Sequence, residues 1–233
     1  MRSFRRSLAI AATVAVVAVA ALSTAGCGGT AAQVDPATEL SKSAAAMKAI
    51  NGFHLVYEVH KPANAKPGSG LEIARVTADV NSEGSMTAVI DVTQGNVPLK
   101  LNFVQVGDKQ YLQMGAWQEI PVESSPVGKL TLGTSTVTIL QQVTDAKYVG
   151  QESKAGTKCY HITGSVNAEA VKAIAKSTTT TAPFPVDIWI GVKDGYIYEV
   201  DINGAATTDE PEGTWRSIVL SKHGASVDIK API

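Results

Sequence analysis

The chain has few residues that could cross-link it, charge it strongly or supply aromatic binding surfaces. Its 233 residues include two cysteines, Cys27 and Cys159, and only 18% of residues are charged and 6% aromatic. A formal net charge of −1 offers no basic face, so no nucleic-acid partner is expected. If Cys27 is modified, Cys159 has no disulfide partner, and stability must come from a hydrophobic core. We expect a monomer in which Cys159 is a half-buried strand residue; a redox or nucleophilic role is the alternative.

The common catalytic and nucleotide-binding patterns are also missing. There is no Gly-x-Ser-x-Gly elbow, no His-Glu-x-x-His pair, no P-loop and no Gly-x-Gly-x-x-Gly after the first predicted strand. His54 and His60 share one predicted strand but lie about 20 Å apart along it, too far to share a metal. All four histidines are expected at solvated or rim positions, and residues 209–213 as a surface turn. We therefore predict that the chain has no catalytic residue, metal site or cofactor and is not an enzyme.

The first 27 residues have the features of a lipoprotein export signal. Arg2, Arg5 and Arg6 form a positive region, and residues 8–22 form an apolar run shorter than a membrane span. Residues 22–27, Leu-Ser-Thr-Ala-Gly-Cys, resemble a bacterial lipobox, although Thr24 stands where leucine is commonest. The prediction is a signal peptide over residues 1–26 and lipid attached to Cys27. A plain secretory signal or an uncleaved anchor are the alternatives.

The mature chain would then begin with a short tether on a membrane. Residues 27–35 are small and polar, and when extended they reach roughly 25 Å. A cysteine carrying two or three acyl chains holds a protein firmly, whereas one chain binds only marginally. We predict a protein anchored to the cell membrane, facing the periplasm or the cell exterior, with a single domain over residues 36–233.

The folded part begins with a predicted helix, after which the spacing of the apolar residues changes from helical to alternating. Asp35 can cap a helix that has Pro36 in its first turn, and apolar residues recur at helical spacing from Leu40 to Ile50. From Gly52 onward the apolar residues alternate, which predicts antiparallel strands joined by tight turns. The predicted strands before the middle of the chain cover residues 53–60, 71–81, 86–92, 99–103 and 111–112, and another begins at Trp117.

The middle and the end of the chain combine helices with further strands. Residues 121–134 are rich in Ser, Gly and Pro and predict a loop, residues 136–143 predict a short helix, and Asn167 can cap another helix through Ala175. Residues 177–181 are a Ser/Thr-rich loop, whose glycosylation the sequence leaves open. The remaining predicted strands cover residues 146–152, 158–163, 185–192, 196–204 and 215–222, with a final edge segment over residues 227–230.

This order of elements predicts an α+β fold with one large antiparallel sheet. A long twisted sheet tends to curl, and its concave face must then be filled by helices or by a ligand. The inward faces are aliphatic with few polar groups. That composition suits acyl chains and suits an ordinary dry core equally well, so the pattern alone leaves both open.

Several segments in a fixed order add a resemblance over essentially the whole mature chain. They are the lipobox, the helix that starts at Asp35-Pro36, FVQVGD (103–108) with Tyr111, ITGSVNAEAV (162–171), PVDIWIG (185–191), Asp194-Gly195, IVLSKHG (218–224), Val227 and Pro232. Together they resemble the mycobacterial LppX/LprG family of lipoproteins. The resemblance implies a half-barrel of antiparallel strands with helices on its concave face, as in the LolA and LolB lipid carriers. It also implies an apolar cavity that binds acylated lipids or glycolipids for transfer across the cell envelope.

The predicted lipid-binding residues come from three sources. The resemblance places Ile90 and Val92 on one cavity-facing strand and Leu99, Leu101 and Phe103 on the next. The strand pattern adds Leu55 and Tyr57. The middle segment adds Leu130, Leu132, Ile139, Leu140 and Val143, which could cover the cavity as a lid. On this basis Ile90→Trp is expected to reduce lipid loading and leave the fold intact.

Two other functions stay open at this point. The chain could be an envelope module that binds a protein partner or wall polymer on a closed, dry domain. It could also be an envelope hydrolase, which would need His, Asp or Ser groups converging in one cleft. For a carrier, a membrane transporter could supply or receive the lipid. The sequence does not identify the lipid or the direction of transfer.

Overall fold

The computed structural model describes residues 34–66, 70–122, 132–172, 174–175 and 178–233, with residues 132–135 described by their backbone alone. Residues Val34–Ile233 form one compact unit. The predicted signal peptide, the predicted anchor Cys27 and the predicted lining residue Leu130 lie outside the described residues. Their roles therefore stay predictions.

Helix α1, Pro36–Lys48, begins as the sequence predicts. The backbone N–H of Thr38 donates to Asp35 Oδ2 at 3.1 Å, so Asp35 caps the helix, and Pro36 occupies the first turn, where no amide donor is needed. The helix buries a narrow face that includes Leu40, Ala44 and Met47. It therefore packs on the sheet through small and medium side chains.

Eleven strands are described, and their order follows the alternating pattern of the sequence. The turns at Gly95-Asn96 and Gly107-Asp108 are confirmed, and both glycines adopt positive φ. Six strands precede the middle helix: β1 Gly52–His60, β2 Leu71–Asn81, β3 Met86–Gln94, β4 Val97–Val106, β5 Lys109–Met114 and β6 Ala116–Ile120. Five follow it: β7 Thr144–Lys154, β8 Thr157–Val166, β9 Phe184–Gly191, β10 Ile197–Asn203 and β11 Trp215–Ser221.

All eleven strands belong to one antiparallel sheet in the order β6-β5-β4-β3-β2-β1-β11-β10-β9-β8-β7. The sheet consists of two meanders, β1 to β6 and β7 to β11. They meet at a central seam where β1 pairs with β11, with Leu55 opposite Leu220 and Tyr57 opposite Ile218. The predicted α+β fold with a single curved antiparallel half-barrel is confirmed.

Helix α2, Leu132–Gln142, lies in the connection between the two meanders. Strands β6 and β7 form opposite edges of the sheet, so the chain between them must cross the whole sheet. Ile139 and Leu140 enter the core from this crossing. The helix begins at Leu132, earlier than the predicted Thr136, so it includes four residues that the sequence assigned to the end of a loop or left unassigned.

Two predicted elements differ from the structure. Helix α3 covers only Ala168–Lys172, although Asn167 does cap it by accepting from the N–H of Ala170 at 3.0 Å. Beyond Lys172 the Val171 carbonyl accepts from the N–H of Ile174 at 3.0 Å and from the N–H of Ala175 at 2.8 Å, and the Ile174 side chain is buried. Residues 227–230 form no strand, because β11 already pairs with β1 and β10 and offers no free edge.

Candidate functional site

The inward, concave face of the sheet brings together most of the predicted lining residues from strands. Leu55, Tyr57, Ile90, Val92, Leu101 and Phe103 are all buried in one core cluster on this face. The register explains their proximity, because Ile90 lies opposite Leu101. The period-2 pattern therefore identified the correct face, although their role in binding lipid stays a prediction.

Leu99 is the exception among the strand residues. It pairs with Val92 and shares the parity of Leu101 and Phe103, but 40% of its surface is exposed. It lies near the start of β4, at the end of the sheet where Leu71 and Val97 are also exposed. Leu99 therefore belongs to an apolar rim of the concave face and not to the closed core.

Three of the predicted residues of the middle segment pack against the same core cluster, and their role as a lid stays a prediction. Ile139 and Leu140 are buried, and Val143 packs partly buried against the core. Leu132 begins α2, and its side chain is not described. Helix α2 lies against α1, α3 and β2.

Two open clefts flank α2. The first, here called the helix cleft, has a volume of about 560 Å³ between α1, α2 and the start of β7. The second, the turn cleft, measures about 420 Å³ and lies between α2, the end of α1 and the β2–β3 turn. Small side chains create the room in the helix cleft, whose lining is Ala37, Leu40, Ser41, Ala44, Ala45, Lys48, Leu140, Gln141, Val143 and Ala146.

A third cleft, the Arg216 cleft, has a volume of about 200 Å³ and lies on the concave face beside Tyr57. The Arg216 side chain is almost fully buried, donates from Nη1 to the Gly204 carbonyl at 3.0 Å and forms an ion pair through Nη2 with Glu210. Tyr57 is buried close to Arg216; burial raises the pKa of the Tyr57 hydroxyl, and the Arg216 charge acts in the opposite direction. This cleft is the polar end of an otherwise aliphatic face.

The sequence interpretation missed Arg216 and assigned Glu210 to a surface turn. The signal was present, because Arg216 has the same strand parity as Ile218 and Leu220, both of which point inward. A charged residue at an inward position requires a buried partner. Reading that parity would have predicted an internal ion pair.

The outward face carries a polar network that the sequence interpretation also missed. His161 hydrogen-bonds Glu152 and Asp187, at 2.9 Å each, and the Trp189 indole N–H donates to Glu152 at 2.8 Å. The bonds from Trp189 and then His161 lower the pKa of Glu152. Lys154 lies over the Trp189 ring, 3.6 Å from its centroid. These groups therefore satisfy one another's hydrogen bonds on the outward face.

The other histidines are half-buried and have partners. His54 hydrogen-bonds Asp79 at 2.7 Å, and His60 hydrogen-bonds Ser217 at 3.0 Å. His223 bonds the Ile197 carbonyl at 2.7 Å, and burial lowers its pKa.

Cys159 is fully buried in β8, deeper than predicted, and its thiol pKa is raised by that burial. Among the residues that the structure describes, no group of three or more His, Cys, Asp or Glu side chains could hold a metal ion. Within the same ranges, no helix combines the length and apolar character needed to span a membrane.

Comparison with known sequences identifies relatives along the whole chain. The family model described as LppX_LprAFG lipoprotein matches residues 35–229. The lipoarabinomannan carrier protein LprG of Mycobacteroides abscessus is 31% identical over 93% of this chain and 94% of its own length. The protein of the same name from Mycobacterium tuberculosis H37Rv is 27% identical over 100% of this chain and 99% of its own length.

Comparison with solved structures agrees on the fold. LprF from Mycobacterium bovis superposes with a TM-score of 0.65 at 19% identity, over 84% of this chain and 96% of that one. LppX from M. tuberculosis superposes with a TM-score of 0.57 at 20% identity, over 84% of this chain and 100% of that one. With a helix-covered half-barrel, matching relatives and a family model that spans every described helix and strand, this chain belongs to the LppX_LprAFG lipoprotein family.

Proposed function

We propose that the chain binds the acyl chains of a lipid or glycolipid against its concave face and carries that lipid within the cell envelope. One observation supports this proposal above the others. Helices α1, α2 and α3 pack on an aliphatic sheet face, and an open cleft lies on each side of α2. The relatives named lipoarabinomannan carriers are consistent with such a role for this chain.

The size and chemistry of the helix cleft fit an apolar ligand. Its volume of about 560 Å³ lies within the range of roughly 300–1,000 Å³ that is typical of small-molecule sites. Removing a methylene from water is worth about 0.8 kcal/mol, and a bilayer offers nearly the same gain. Transfer of an acyl chain from membrane to cleft is therefore close to neutral, and no bond needs to be made or broken.

Helix α2 is proposed as the movable cover. It has no acidic residue in its first turn and no basic residue in its last, so its ends lack the charges that stabilise a helix dipole. Ile139 and Leu140 provide its buried contacts with the core. Acyl chains that enter from the two clefts would replace these contacts with equivalent apolar ones, at little net cost.

The cellular setting is proposed from the sequence. Cys27 would carry the lipid anchor after removal of residues 1–26, and residues 27–35 would tether the domain to the outer side of the cell membrane. The domain would act as a monomer that exchanges lipid with the membrane or with a transporter. A closed module that binds a protein or wall polymer is the competing function.

Native mass spectrometry of the full chain tests these proposals. The chain would be purified from an actinobacterial membrane in detergent and measured before and after denaturation and organic extraction. A covalent anchor on Cys27 survives denaturation, whereas lipid held on the concave face leaves with the solvent. Near-stoichiometric extractable lipid is expected. A protein that carries no extractable lipid and takes none up from vesicles would favour the closed module.

A further inference from the structure

The Arg216 cleft combines a polar end with an apolar end. Arg216 and Glu210 line the polar end, with Asp209 and the Lys61–Glu72 ion pair (2.7 Å) beside them. The apolar lining consists of Tyr57, Val59, Leu71, Ile73, Ile174 and Ala175. Since Tyr57 and Ile174 also belong to the core cluster, the cleft continues from the proposed acyl-binding face.

One donor of the buried guanidinium is left without a partner. Nη1 donates to Gly204 and Nη2 to Glu210, but Nε is buried and makes no hydrogen bond. Buried polar groups are almost always satisfied, because an unpaired donor loses its bonds to water and gains nothing. An acceptor oxygen supplied by a ligand in this cleft would complete the set.

The charges that line the cleft determine whether a phosphate oxygen or a hydroxyl oxygen of a ligand can bind there. Two cations, Lys61 and Arg216, face three carboxylates, those of Glu72, Asp209 and Glu210. Both cations are already in ion pairs, with Glu72 and with Glu210. A phosphate would therefore meet excess negative charge with no spare cation, which disfavours it. A hydroxyl group can accept from Arg216 Nε and donate to the exposed Asp209 carboxylate.

We propose that the Arg216 cleft binds the uncharged, hydroxyl-bearing head group of a lipid, such as a glycerol or sugar moiety, and excludes phosphate head groups. This inference rests on the proposed function, because the acyl chains of the same molecule would lie on the concave face. The clefts beside α2 would provide most of the apolar contact with the acyl chains. The Arg216 cleft would determine which head group is bound among lipids that have the same acyl chains.

A loading competition tests the proposal with three lipids that share two oleoyl chains. The probes are dioleoylglycerol, its monogalactosyl derivative and dioleoylphosphatidylglycerol, offered in equal amounts to the full chain. The detergent is an amine oxide, which has neither hydroxyl nor phosphate groups, and bound lipid is read by native mass spectrometry. Each neutral lipid is expected to load at least tenfold more than phosphatidylglycerol, and the ratio of the two neutral lipids separates glycerol from sugar recognition.

Two variants connect this selectivity to the cleft. Asp209→Lys changes an exposed side chain, so the fold should persist, and it should shift loading toward phosphatidylglycerol at least tenfold. Asp108→Lys, in the exposed β4–β5 turn, makes the same charge change elsewhere and should leave the ratio unaltered. Arg216→Lys keeps the charge but removes Nε, and it should reduce neutral-lipid loading severalfold. If the Arg216→Lys variant does not fold, the Asp209→Lys variant alone tests the proposal.

The outcomes separate this inference from the proposed function. Equal loading of neutral and anionic lipids, or an Asp209→Lys variant with an unchanged ratio, would overturn head-group selection and leave the carrier function standing. If none of the three lipids loads, the proposed function fails, and this inference fails with it.

Discussion

Arg216 and Glu210 form an ion pair inside the half-barrel, with the guanidinium side chain 2% exposed and the carboxylate side chain 20% exposed. The second carboxylate oxygen of Glu210 accepts from the Ala206 N–H at 2.6 Å, and Arg216 also reaches the Gly204 carbonyl. The pair therefore ties the central strand β11 to the loop that follows β10. A buried charge pair of this kind is costly to break from one side.

Glu210→Ala should lower the free energy of unfolding by about 3–5 kcal/mol, because it leaves Arg216 buried without a counter-charge. Urea denaturation followed by circular dichroism measures the change. Glu212→Ala is the matched control, since Glu212 is exposed on the same loop, and it should stay within about 0.5 kcal/mol of the parent. Equal effects of the two substitutions would show that the ion pair contributes little.

The double variant Arg216→Met, Glu210→Gln should lose less stability than the two single changes added together. Removing both charges leaves no unpaired ion, and methionine fills much of the arginine stem volume. The same urea measurement, arranged as a double-mutant cycle, gives the coupling energy. Strict additivity would mean that the two side chains act independently.

Ala146→Trp should block lipid loading from the helix cleft. Ala146 is half-buried at the edge of that cleft, so an indole would fill open space and cost little stability. Lys147→Trp is the control, because Lys147 is exposed and its register places it on the outward face. Extractable lipid should fall severalfold in Ala146→Trp alone, and equal loading in both variants would remove the helix cleft from the binding site.

Ile90→Trp is a poorer test of lipid loading than the sequence suggested, because it is expected to lower stability as well. Ile90 is fully buried among close-packed side chains, so the larger indole would overpack the core at a cost of about 1–3 kcal/mol. Thermal unfolding should therefore show a lower midpoint for Ile90→Trp than for Ala146→Trp. Equal midpoints for the two variants would indicate that the core can rearrange to accommodate the larger side chain at position 90.

Asp201→Asn should stabilise the protein at neutral and alkaline pH. Burial raises the pKa of Asp201 to about 6, and the carboxylates of Glu199 and Asp187 add to the shift. In the unfolded chain the pKa returns to near 3.8, so between these values the folded state holds more protons and stability falls as pH rises. Above pH 6 the whole penalty is present, and below pH 4 it is absent.

Urea denaturation at pH 3.5 and pH 8 checks this sign. The gain from Asp201→Asn should be clear at pH 8 and small at pH 3.5. Asp108→Asn removes the same charge from an exposed turn, so it corrects for the change in net charge. A gain confined to the acidic sample would contradict the assignment.

Gly52→Ala should destabilise the start of β1 by about 1–3 kcal/mol. A Cβ atom at this position would lie 2.5 Å from the Ala225 carbonyl oxygen and 2.6 Å from that of Val80, and neither backbone group can move alone. Gly70→Ala is the control, because nothing lies within 4 Å of its Cβ position. Thermal unfolding of both variants gives the comparison, and a neutral Gly52→Ala would mean that the C-terminal segment shifts freely.

Much of the fold could be predicted because local signals and tertiary packing agree. The cap at Asp35 and the alternation that includes Leu55, Ile90 and Phe103 placed α1 and the inward faces of the strands correctly. The predicted start of α2 was wrong, since the helix begins at Leu132, and the exposure of Leu99 could not be predicted because it depends on what covers the strand end. Arg216 shows a different limit, since its partner Glu210 lies on a loop that no periodicity describes.

The central β1–β11 seam has a consequence for how the protein is made. A chain is synthesised from its N-terminus, so the first meander can form while β1 still lacks its outer neighbour. That neighbour, β11, arrives with residues 215–221, close to the end of the chain. A copy that stops before Trp215 has two half-sheets and no shared concave surface. The last strand joins the two meanders, so the continuous concave face can form only after residues 215–221 have been synthesised.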